Sequence, residues 1–468
     1  MGDNFTGKLV LVGFGSIGQA VLPLLLRDLD VPQGNVTIIK TRADRSGIAN
    51  ALGVAVIAEA LHEHNFEAVL APLLGAGDFL LNLSVDVSSL ALVGLCHRLG
   101  TRYLDTCDEP WPGRYDNPSL SASLRSNYAL REEMLAFRRD HPAGPTAVVT
   151  QGANPGLISS LLKQALLNMA ADTGLHAAIP QSREAWAALA QRMNIRAIHV
   201  AERDTQLCAR RKVKNEFVNT WSTEAFIDEG LQPAELGWGS HERHWPADAG
   251  RHGFGCDAAI YLDRPGMATR VRSWTPLEGP YHGFLVTHAE SISIADYLTL
   301  RDRQGAVAYR PTVHYAYHPC DDAVLSLHEI AGSNWQPQRG SRIIRDEIDG
   351  GIDELGVLLM GNENGVYWYG SRLSIDQARE LAPYNNATSL QVAAGILGGM
   401  VWAFRHPETG LIEPDEIDYR MVLEVARPYL GEVTGVWGKW TPLQGRSRLF
   451  AEAMDRNDPW QFVNFRVV

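Results

Sequence analysis

The sequence contains few cysteines, and none of them lie close together. There are five in 468 residues, an odd number, and no two form a C-x-x-C pair. A disulfide framework and a cysteine-ligated zinc site are therefore excluded as organising features of the fold. We expect a reducing, cytoplasmic location. The five positions are Cys96, Cys107, Cys208, Cys256 and Cys320.

Long hydrophobic runs are also lacking. The longest apolar stretch without a charged residue, 9–26, contains three glycines together with Ser16, Gln19 and Pro23. It therefore predicts a strand, a turn and a helix rather than a membrane span. No basic segment precedes it, as one would in a secretory signal. We expect neither a membrane partner nor an export signal.

Positive charge is in deficit. Lysine and arginine total 42 against 54 aspartates and glutamates, a formal net charge of −12. This balance disfavours nucleic acid as a partner and attracts small cations. The hydrophobic share of 45% and the charged share of 21% are typical of globular proteins. A chain of this length is expected to form two or three domains with sizeable cores.

The first third of the chain alternates short apolar, β-branched runs with helical patterns. The runs lie at 8–13, 35–39, 53–57, 79–84, 102–106 and 146–150. Continuous apolar strands separated by helices predict a doubly wound parallel sheet of the Rossmann type, covered on both faces. The predicted fold class is thus α/β, with residues 1–155 as a nucleotide-binding domain.

The pattern changes after the stretch "GANPG", where Asn154 is predicted to cap a helix that begins at Pro155. Residues 156–387 mix strands and helices without steady alternation and predict a second, α+β domain that carries the substrate chemistry. Residues 388–468 form a C-terminal segment. Its first part, 388–404, predicts a long apolar helix that packs back on the first domain.

Glycines in a fixed spacing follow the first strand. Gly13, Gly15 and Gly18 form the G-x-G-x-x-G pattern, with Ser16 and Ile17 inside it, where a helix starts. The first glycine allows a tight turn, the second lets the backbone approach a pyrophosphate, and the third lets helix and strand pack closely. In this context the pattern predicts a dinucleotide site. A glycine-rich turn without a nucleotide is the alternative.

The end of the second strand departs from the usual pattern. An acidic residue commonly stands there to bind the adenosine ribose, but this sequence has Lys40, Thr41, Arg42 and Arg45. Such side chains suit the 2′-phosphate of NADP, and they suit equally well stacking and hydrogen bonding with the adenosine of NAD. The residues alone leave both cofactors open.

Residues 218–238 contain no lysine or arginine. Around Trp221 this stretch places four acids: Glu224, Asp228, Glu229 and Glu235. Carboxylates pair with ammonium groups, and a tryptophan face attracts a partly desolvated cation. The stretch is therefore typical of a pocket for a diamine. The alternative is that Trp221 belongs to the core and that Glu224 and Glu229 form the solvated face of a short helix.

His314, His318 and Cys320 raise the question of a metal site. The segment is rich in tyrosine and predicts a strand, in which positions i and i+4 are poorly placed to ligate one ion. We expect no metal.

Many long motifs occur in the order found in one family. They include "GFGSIG", "NLSVDVSSL", "YLDTCDEPW", "GANPG", "HVAERDTQ", "NTWSTEAF", "EGLQPAELGWG", "GFLVTHAESISIADY" and "GIDELGVLL". On these motifs the sequence resembles, nearly from end to end, the bacterial homospermidine synthases, which are relatives of the saccharopine dehydrogenases. The departure is Lys40 in place of an acid, which bears on the adenosine-ribose contact.

The resemblance implies an activity. The family is described as joining two putrescines, or putrescine and spermidine, into homospermidine with release of ammonia or diaminopropane. An amine is oxidised to an imine, a second putrescine displaces ammonia by transimination, and the new imine is reduced while NAD is retained. The resemblance also implies a homodimer formed through the second domain.

The resemblance further implies roles for individual residues. Trp221 is expected to stabilise the amine or iminium by a cation–π contact, and Glu229 and His288 to transfer protons. The ammonium ends are expected to bind Glu109, Glu202 and Asp353. Asn154 is counted with both the catalytic and the cofactor-binding residues. The other expected cofactor contacts are Gly13, Gly15, Ser16, Ile17, Gly18, Thr41, Arg42, Asn82, Ser84, Asp86, Thr106 and Ala153.

Two other functions stand as alternatives. An amine dehydrogenase of the saccharopine or carboxyspermidine type would release reduced cofactor, and its substrate carboxylate would call for an arginine, which residues 218–238 lack. A non-catalytic NAD-binding protein would need only the glycine turn.

Competitive titration of the cofactor-free protein with NAD and NADP tests the adenosine end of the predicted site. We expect NAD to bind more tightly, because the resemblance is to an NAD-dependent family. A clear preference for NADP would show that the basic residues from Lys40 onward bind a 2′-phosphate.

Overall fold

Parallel strands and helices alternate along the first part of the chain in the computed structural model, which describes residues 5–42, 46–115, 117–175 and 178–467. The strands are β1 (Leu9–Val12), β2 (Val36–Lys40), β3 (Ala55–Ala58), β4 (Phe79–Asn82), β5 (Arg102–Asp105) and β6 (Ala147–Val148). The helices are α1 (Ser16–Asp28), α2 (Ile48–Ala51), α3 (Phe66–Leu70), α4 (Ser89–Leu99), α5 (Asn127–Asp140) and α6 (Leu157–Asp172).

The middle of the chain is richer in strands. These are β7 (Ala197–Asp204), β8 (Glu216–Asn219), β9 (Pro233–Gly237), β10 (Ala249–Arg251), β11 (Ala259–Pro265), β12 (Arg270–Thr275), β13 (Gly279–Phe284), β14 (Leu300–Arg301), β15 (Val307–Tyr309), β16 (Thr312–His318), β17 (Gly340–Ile343), β18 (Ile352–Met360) and β19 (Val366–Ser374). The helices are α7 (Arg183–Arg192), α8 (Thr223–Leu231), α9 (Ala289–Tyr297), α10 (Asp321–Gly332) and α11 (Ile375–Leu381).

The last part of the chain is shared between the two main sheets. Its elements are α12 (Ala387–Arg405), β20 (Leu411–Ile412), α13 (Tyr419–Ala426), β21 (Glu432–Gly438), α14 (Phe462–Phe465) and β22 (Arg466–Val467). Strand β20 pairs with β6, whereas β21 pairs with β19 and β22 with β12. The predicted domain boundaries remain predictions.

The first sheet is parallel throughout, with the strand order β20-β6-β5-β4-β1-β2-β3 among the described residues. Leu9 and Leu11 of β1 face one hydrophobic core, and Val10 and Val12 face another on the opposite side. A strand that is apolar on both faces requires cover on both, which explains its uninterrupted hydrophobic sequence. The predicted α/β fold class with a doubly wound sheet is confirmed.

The second main sheet is mixed and runs β10-β11-β9-β16-β7-β18-β19-β21, with β12, β13 and β22 attached. In its centre, β16 pairs with β7 in parallel and β18 pairs with β7 antiparallel. Ile198 and Val200 of β7 lie in the main core, whereas Ala201 lies in a separate core on the opposite face. Because side chains alternate along a strand, Glu202 and Asp204 lie on the same face of β7 as Ile198 and Val200.

Helix α12 is the long apolar helix predicted from 388–404, and it packs on α1 and α13. By length and composition it is apolar enough to cross a membrane, but 89% of its apolar window is buried inside the protein. Its small residues allow close packing: a Cβ at Gly395 would lie 1.9 Å from the carbonyl oxygen of Gly152.

The start of α6 differs from the prediction that Asn154 caps a helix from Pro155. The backbone N–H of Gly152 donates to the carbonyl of Pro155 at 2.8 Å, which closes a turn. Helix α6 therefore begins two residues later, at Leu157, with Gly156 as its N-cap. The Asn154 side chain is free to donate elsewhere, to Glu202 at 2.7 Å. This bond joins the end of the first sheet to β7.

Candidate active site

The turn after β1 has the geometry of a phosphate-binding turn. Gly13 has φ +91°, and a Cβ there would lie 2.5 Å from the carbonyl oxygen of Leu83. A Cβ at Gly15 would meet nothing within 4 Å, which leaves room for a ligand. Helix α1 begins directly afterwards and has no side-chain N-cap, so its first N–H groups can bind an anion. The residues of this first turn are Ser16, Ile17 and Gly18.

The end of β2 presents exposed side chains. Thr41 and Arg42 are both exposed, and the Lys40 ammonium lies 5.7 Å from the centre of the Phe14 ring. Arg45 lies outside the described residues. Strand β2 pairs in parallel with β1, so Thr41 and Arg42 follow a strand that adjoins the one that precedes the glycine turn; their contacts with a cofactor stay predictions.

Side chains at the ends of β4 and β5 are linked by a series of hydrogen bonds. Asn82 accepts from the Ser84 hydroxyl at 2.6 Å and donates to the Tyr103 hydroxyl at 3.2 Å. Tyr103 in turn donates to Asp105 at 2.7 Å. Asp86 follows with φ +63°. The predicted residues Asn82, Ser84 and Asp86 thus share one loop at the carboxyl end of the sheet, where ligands of such sheets bind.

Thr106 and Ala153 come from neighbouring strand ends. A Cβ at Gly152 would lie 3.5 Å from the Cβ of Thr106, so Thr106 packs beside the turn that contains Ala153. Ala153 is buried and Thr106 is half-buried. Asn154 follows and reaches across to the second sheet. These three predicted residues therefore lie where the two main sheets meet.

Carboxylates lie on adjacent strands of the second sheet. Glu202 accepts hydrogen bonds from Asn154 and from the Tyr315 hydroxyl. Asp353 of β18 lies opposite Asp204 of β7 and accepts from the Thr388 hydroxyl at 2.6 Å. The second carboxylate oxygen of Asp353 is buried and has no hydrogen-bond partner in the described part of the chain.

Burial dominates the ionisation of these groups. Desolvation raises the pKa of Glu202 to about 7 and that of Asp204 to about 6. It also raises the pKa of Asp353 well above its ordinary value, and the charges of Glu202 and Asp204 add to the effect. Within the described ranges, neither Glu202 nor Asp353 forms an ion pair with lysine or arginine. Without a cation nearby, these raised pKa values favour the protonated, neutral carboxyls, and a bound cation would favour the charged carboxylates.

His288 is the N-cap residue of α9 and lies between two carboxylates. Its Nδ1 is 3.1 Å from Glu290 Oε1, and its Nε2 is 3.3 Å from Glu229 Oε2. Burial alone would lower its pKa, but the charges of Glu290 and Glu229 outweigh burial and raise the pKa to about 10. His288 is thus an imidazolium at neutral pH.

Trp221 is half-buried and donates from its indole N–H to the Tyr317 hydroxyl at 3.0 Å. The Tyr317 ring stacks on Tyr315, with 5.1 Å between ring centres. Tyr315 in turn lies 4.3 Å from the His288 ring and donates to Glu202. Trp221, Glu202 and His288, predicted separately, are thereby joined through two tyrosines.

Glu109 lies in the loop after β5 and is buried. Its Oε1 is 3.5 Å from the Cys107 sulfur. Burial, and then the charge of Glu229, raise its pKa well above the ordinary value. Glu109 is therefore close to the acids Asp228 and Glu229 of α8.

The acids around Trp221 do not all belong to this site. Glu229 contacts His288, and Asp228 is half-buried on the same helix. Glu224 is exposed on α8, which agrees with the alternative that it belongs to the solvated face of that helix. Glu235 is buried on β9 and accepts from the first backbone N–H groups of α5. Sequence proximity to Trp221 does not decide which acids share its surroundings.

Sequence reasoning missed Tyr315, Tyr317 and Glu290. The two tyrosines alternate along β16, so the period of a strand predicts that they share a face. His314 and His318 have the opposite parity and face away. Glu290 follows His288 by two residues, so its closeness in the sequence indicated an acid near the imidazole. Among the described residues, no group of three or more histidines, cysteines or acids is arranged to hold a metal ion.

Comparison with known proteins agrees along the whole chain. Residues 9–148 match the saccharopine dehydrogenase NADP binding domain, and residues 152–438 match the saccharopine dehydrogenase C-terminal domain. A homospermidine synthase from Blastochloris viridis is 52% identical over 464 residues, 98% of this chain and 97% of the relative. One from Mesorhizobium japonicum is 49% identical over 470 residues, 99% and 97% of the two chains.

A solved structure is similar over the full length. The crystal structure of a homospermidine synthase from Legionella pneumophila in complex with NAD has a TM-score of 0.93 and 46% sequence identity. The similarity covers 100% of this chain and 99% of that chain.

Replacing Glu290 by Gln tests the charge balance around His288. Losing one adjacent carboxylate is expected to lower the His288 pKa by about one to three units, since the imidazolium loses a partner. The measurement is an NMR titration of the histidine rings, with His288→Asn to identify the signal. Glu224→Gln is the control and leaves the titration unchanged. An unaltered midpoint in Glu290→Gln would mean that Glu290 does not hold the proton on His288.

Proposed function

The chain belongs to the homospermidine synthases, a family with the saccharopine dehydrogenase domains, and we propose that it joins two putrescines into homospermidine with release of ammonia. Putrescine with spermidine is the second substrate pair, and diaminopropane then leaves. The cofactor is NAD, and the reaction has no net redox change. The family resemblance inferred from the motifs is confirmed.

The observation that carries this proposal is the set of buried carboxylates without basic partners. Within the described chain, Glu109, Glu202 and Asp353 are all buried, and none of them forms an ion pair with lysine or arginine. An uncompensated buried charge is costly, and a protein avoids the cost by protonation or by a bound cation. A diamine carries an ammonium at each end and supplies two such cations.

These three acids suit the two ends of one diamine. Asp353 has a buried oxygen that lacks a donor, and an ammonium has three donors. Glu109 lies in a loop of the first domain, whereas Glu202 and Asp353 lie on the second sheet. We assign Glu202 and Asp353 to one ammonium end and Glu109 to another.

Trp221 serves the reacting nitrogen. Its indole N–H is used by Tyr317, which orients the ring. A π face attracts a desolvated cation by roughly 0.5 to 2 kcal/mol, and it does not remove a proton as a carboxylate would. We assign the ring of Trp221 to stabilising the amine or iminium.

We assign proton transfer to Glu229 and His288. An ammonium must lose a proton before its carbon gives up hydride or before its nitrogen attacks. His288 is already protonated at neutral pH, so Glu229 is the acceptor. The separation of 3.3 Å lets the His288 imidazolium donate a proton to Glu229, and His288 can take a proton back only after it has given one up. Glu229 is 18% exposed, which leaves it within reach of a ligand.

The glycine turn and the ends of β4 and β6 fit NAD. The open space at Gly15 and the uncapped start of α1 suit a pyrophosphate, and Asn82, Ser84 and Asn154 lie at the opposite end for the nicotinamide. When bound, NAD supplies reversible acceptance of a hydride. The surrounding burial excludes water, which would hydrolyse the imine.

We propose further that the enzyme is a cytoplasmic homodimer. Its five cysteines are all free, as expected in a reducing compartment. We propose diamines and polyamines as its partners, and neither nucleic acid nor a membrane.

Incubation of the purified protein with putrescine and a catalytic amount of NAD tests the function. We expect homospermidine and ammonia in equal amounts by mass analysis, without accumulation of free NADH. Steady release of NADH with no longer polyamine would instead identify an amine dehydrogenase. Absence of any turnover, with NAD bound, would favour a non-catalytic NAD-binding protein.

Replacing Trp221 by Ala tests the cation–π assignment. Turnover is expected to fall at least about tenfold, because the transition state loses its aromatic partner, while bound NAD is retained. Trp221→Phe keeps a π face and should fall less. Trp245→Ala, which removes a partly exposed tryptophan outside the site, serves as the control. Wild-type turnover in Trp221→Ala would remove the assigned role.

A further inference from the structure

Glu235 joins the second sheet to helix α5. Its carboxylate accepts from the backbone N–H groups of Asn127 at 2.8 Å and Tyr128 at 3.3 Å. Glu235 is completely buried on β9. A carboxylate at a helix N-terminus is stabilised by the unpaired N–H groups and by the helix dipole. Glu235 thus acts as a cap supplied from another domain.

The same carboxylate holds the residue before His288. The Thr287 hydroxyl donates to Glu235 at 2.7 Å, and the Asn127 amide lies 3.3 Å from that hydroxyl. Thr287 is completely buried. His288 follows it at the start of α9, and its ring must lie between Glu229 and Glu290. The position of Thr287 therefore determines where the imidazole enters the pocket.

Helix α5 is itself held rigidly against the second domain. The Arg131 guanidinium is buried and binds Asp296 of α9 at 3.0 Å and Glu413 at 2.6 Å. The Tyr128 ring stacks on His252 with 3.8 Å between ring centres. The helix that Glu235 caps is thus bonded to α9 through Arg131 and Asp296.

We propose that Glu235 is a positioning residue: through Thr287 it sets the location of the His288 imidazole between its two carboxylates. The inference rests on the proposed function, because it concerns the proton-handling residues of that site. Glu235 has no contact with the pocket acids Glu202, Asp353 or Glu109 in the described structure. Its effect is therefore on proton transfer rather than on binding of the ammonium ends.

Replacing Thr287 by Val tests the proposal, because valine has the same shape and lacks the hydroxyl donor. We expect kcat for homospermidine formation to fall by roughly tenfold or more, since small displacements of catalytic groups cost that much. The KM for putrescine and the NAD content should change little. The NMR midpoint of His288 should also shift from the wild-type value. Thr287→Ser, which keeps the hydroxyl, should restore both properties.

Two controls separate positioning from general damage. Thr269→Val removes an equally buried hydroxyl, which donates to the carbonyl of Pro265, and should leave kcat and the His288 midpoint unchanged. If Thr287→Val does not fold, the same measurements on Glu235→Gln decide the matter, because glutamine keeps an acceptor but loses the charge. The proposal is overturned if the variant that folds has both the wild-type kcat and the wild-type NMR midpoint of His288. A wild-type protein that makes no homospermidine counts against the proposed function instead, and the NMR comparison still tests the positioning.

Discussion

The central constraint in this molecule is the burial of carboxylates without lysine or arginine partners. Glu202, Asp353 and Glu109 enter the protein interior together, and desolvation raises the pKa of each. Such carboxyls avoid the cost of a buried charge either by taking up a proton or by pairing with a cation. The proposed binding of a diamine and the roles proposed for His288 and Trp221 all rest on these buried carboxyls.

The two sheets divide the work of building the site. The first sheet contributes its strand ends, which carry the glycine turn, Asn82 and Asn154. The second sheet contributes side chains from within its strands. Side chains alternate along β7, so Glu202 lies on the same face of that strand as Val200. The bond from Asn154 to Glu202 connects both contributions. The proposed cofactor site and the proposed amine site thereby meet at one junction.

Much of the fold could be predicted from the sequence. Continuous apolar runs predicted the parallel strands, and the glycine spacing predicted the turn after β1, because both depend on local geometry. The family motifs predicted Trp221, Glu229 and His288 as residues of one site, and the structure links them. The predicted cap at Asn154 was wrong because a turn from Gly152 to Pro155 delays the helix. Glu224 is exposed, as the alternative of a solvated helix face for it predicted.

The sequence by itself determined the fold class, the glycine turn, the family and the excess of acids around one tryptophan. Each of these depends on residues that are neighbours in the sequence or on motifs of fixed spacing. Only the tertiary structure decided which acids share a pocket, that Tyr315 and Tyr317 join Trp221 to His288, and that Glu235 serves a distant helix. Those contacts join positions far apart in the chain, and pKa values depend on burial, which is a property of the packed molecule.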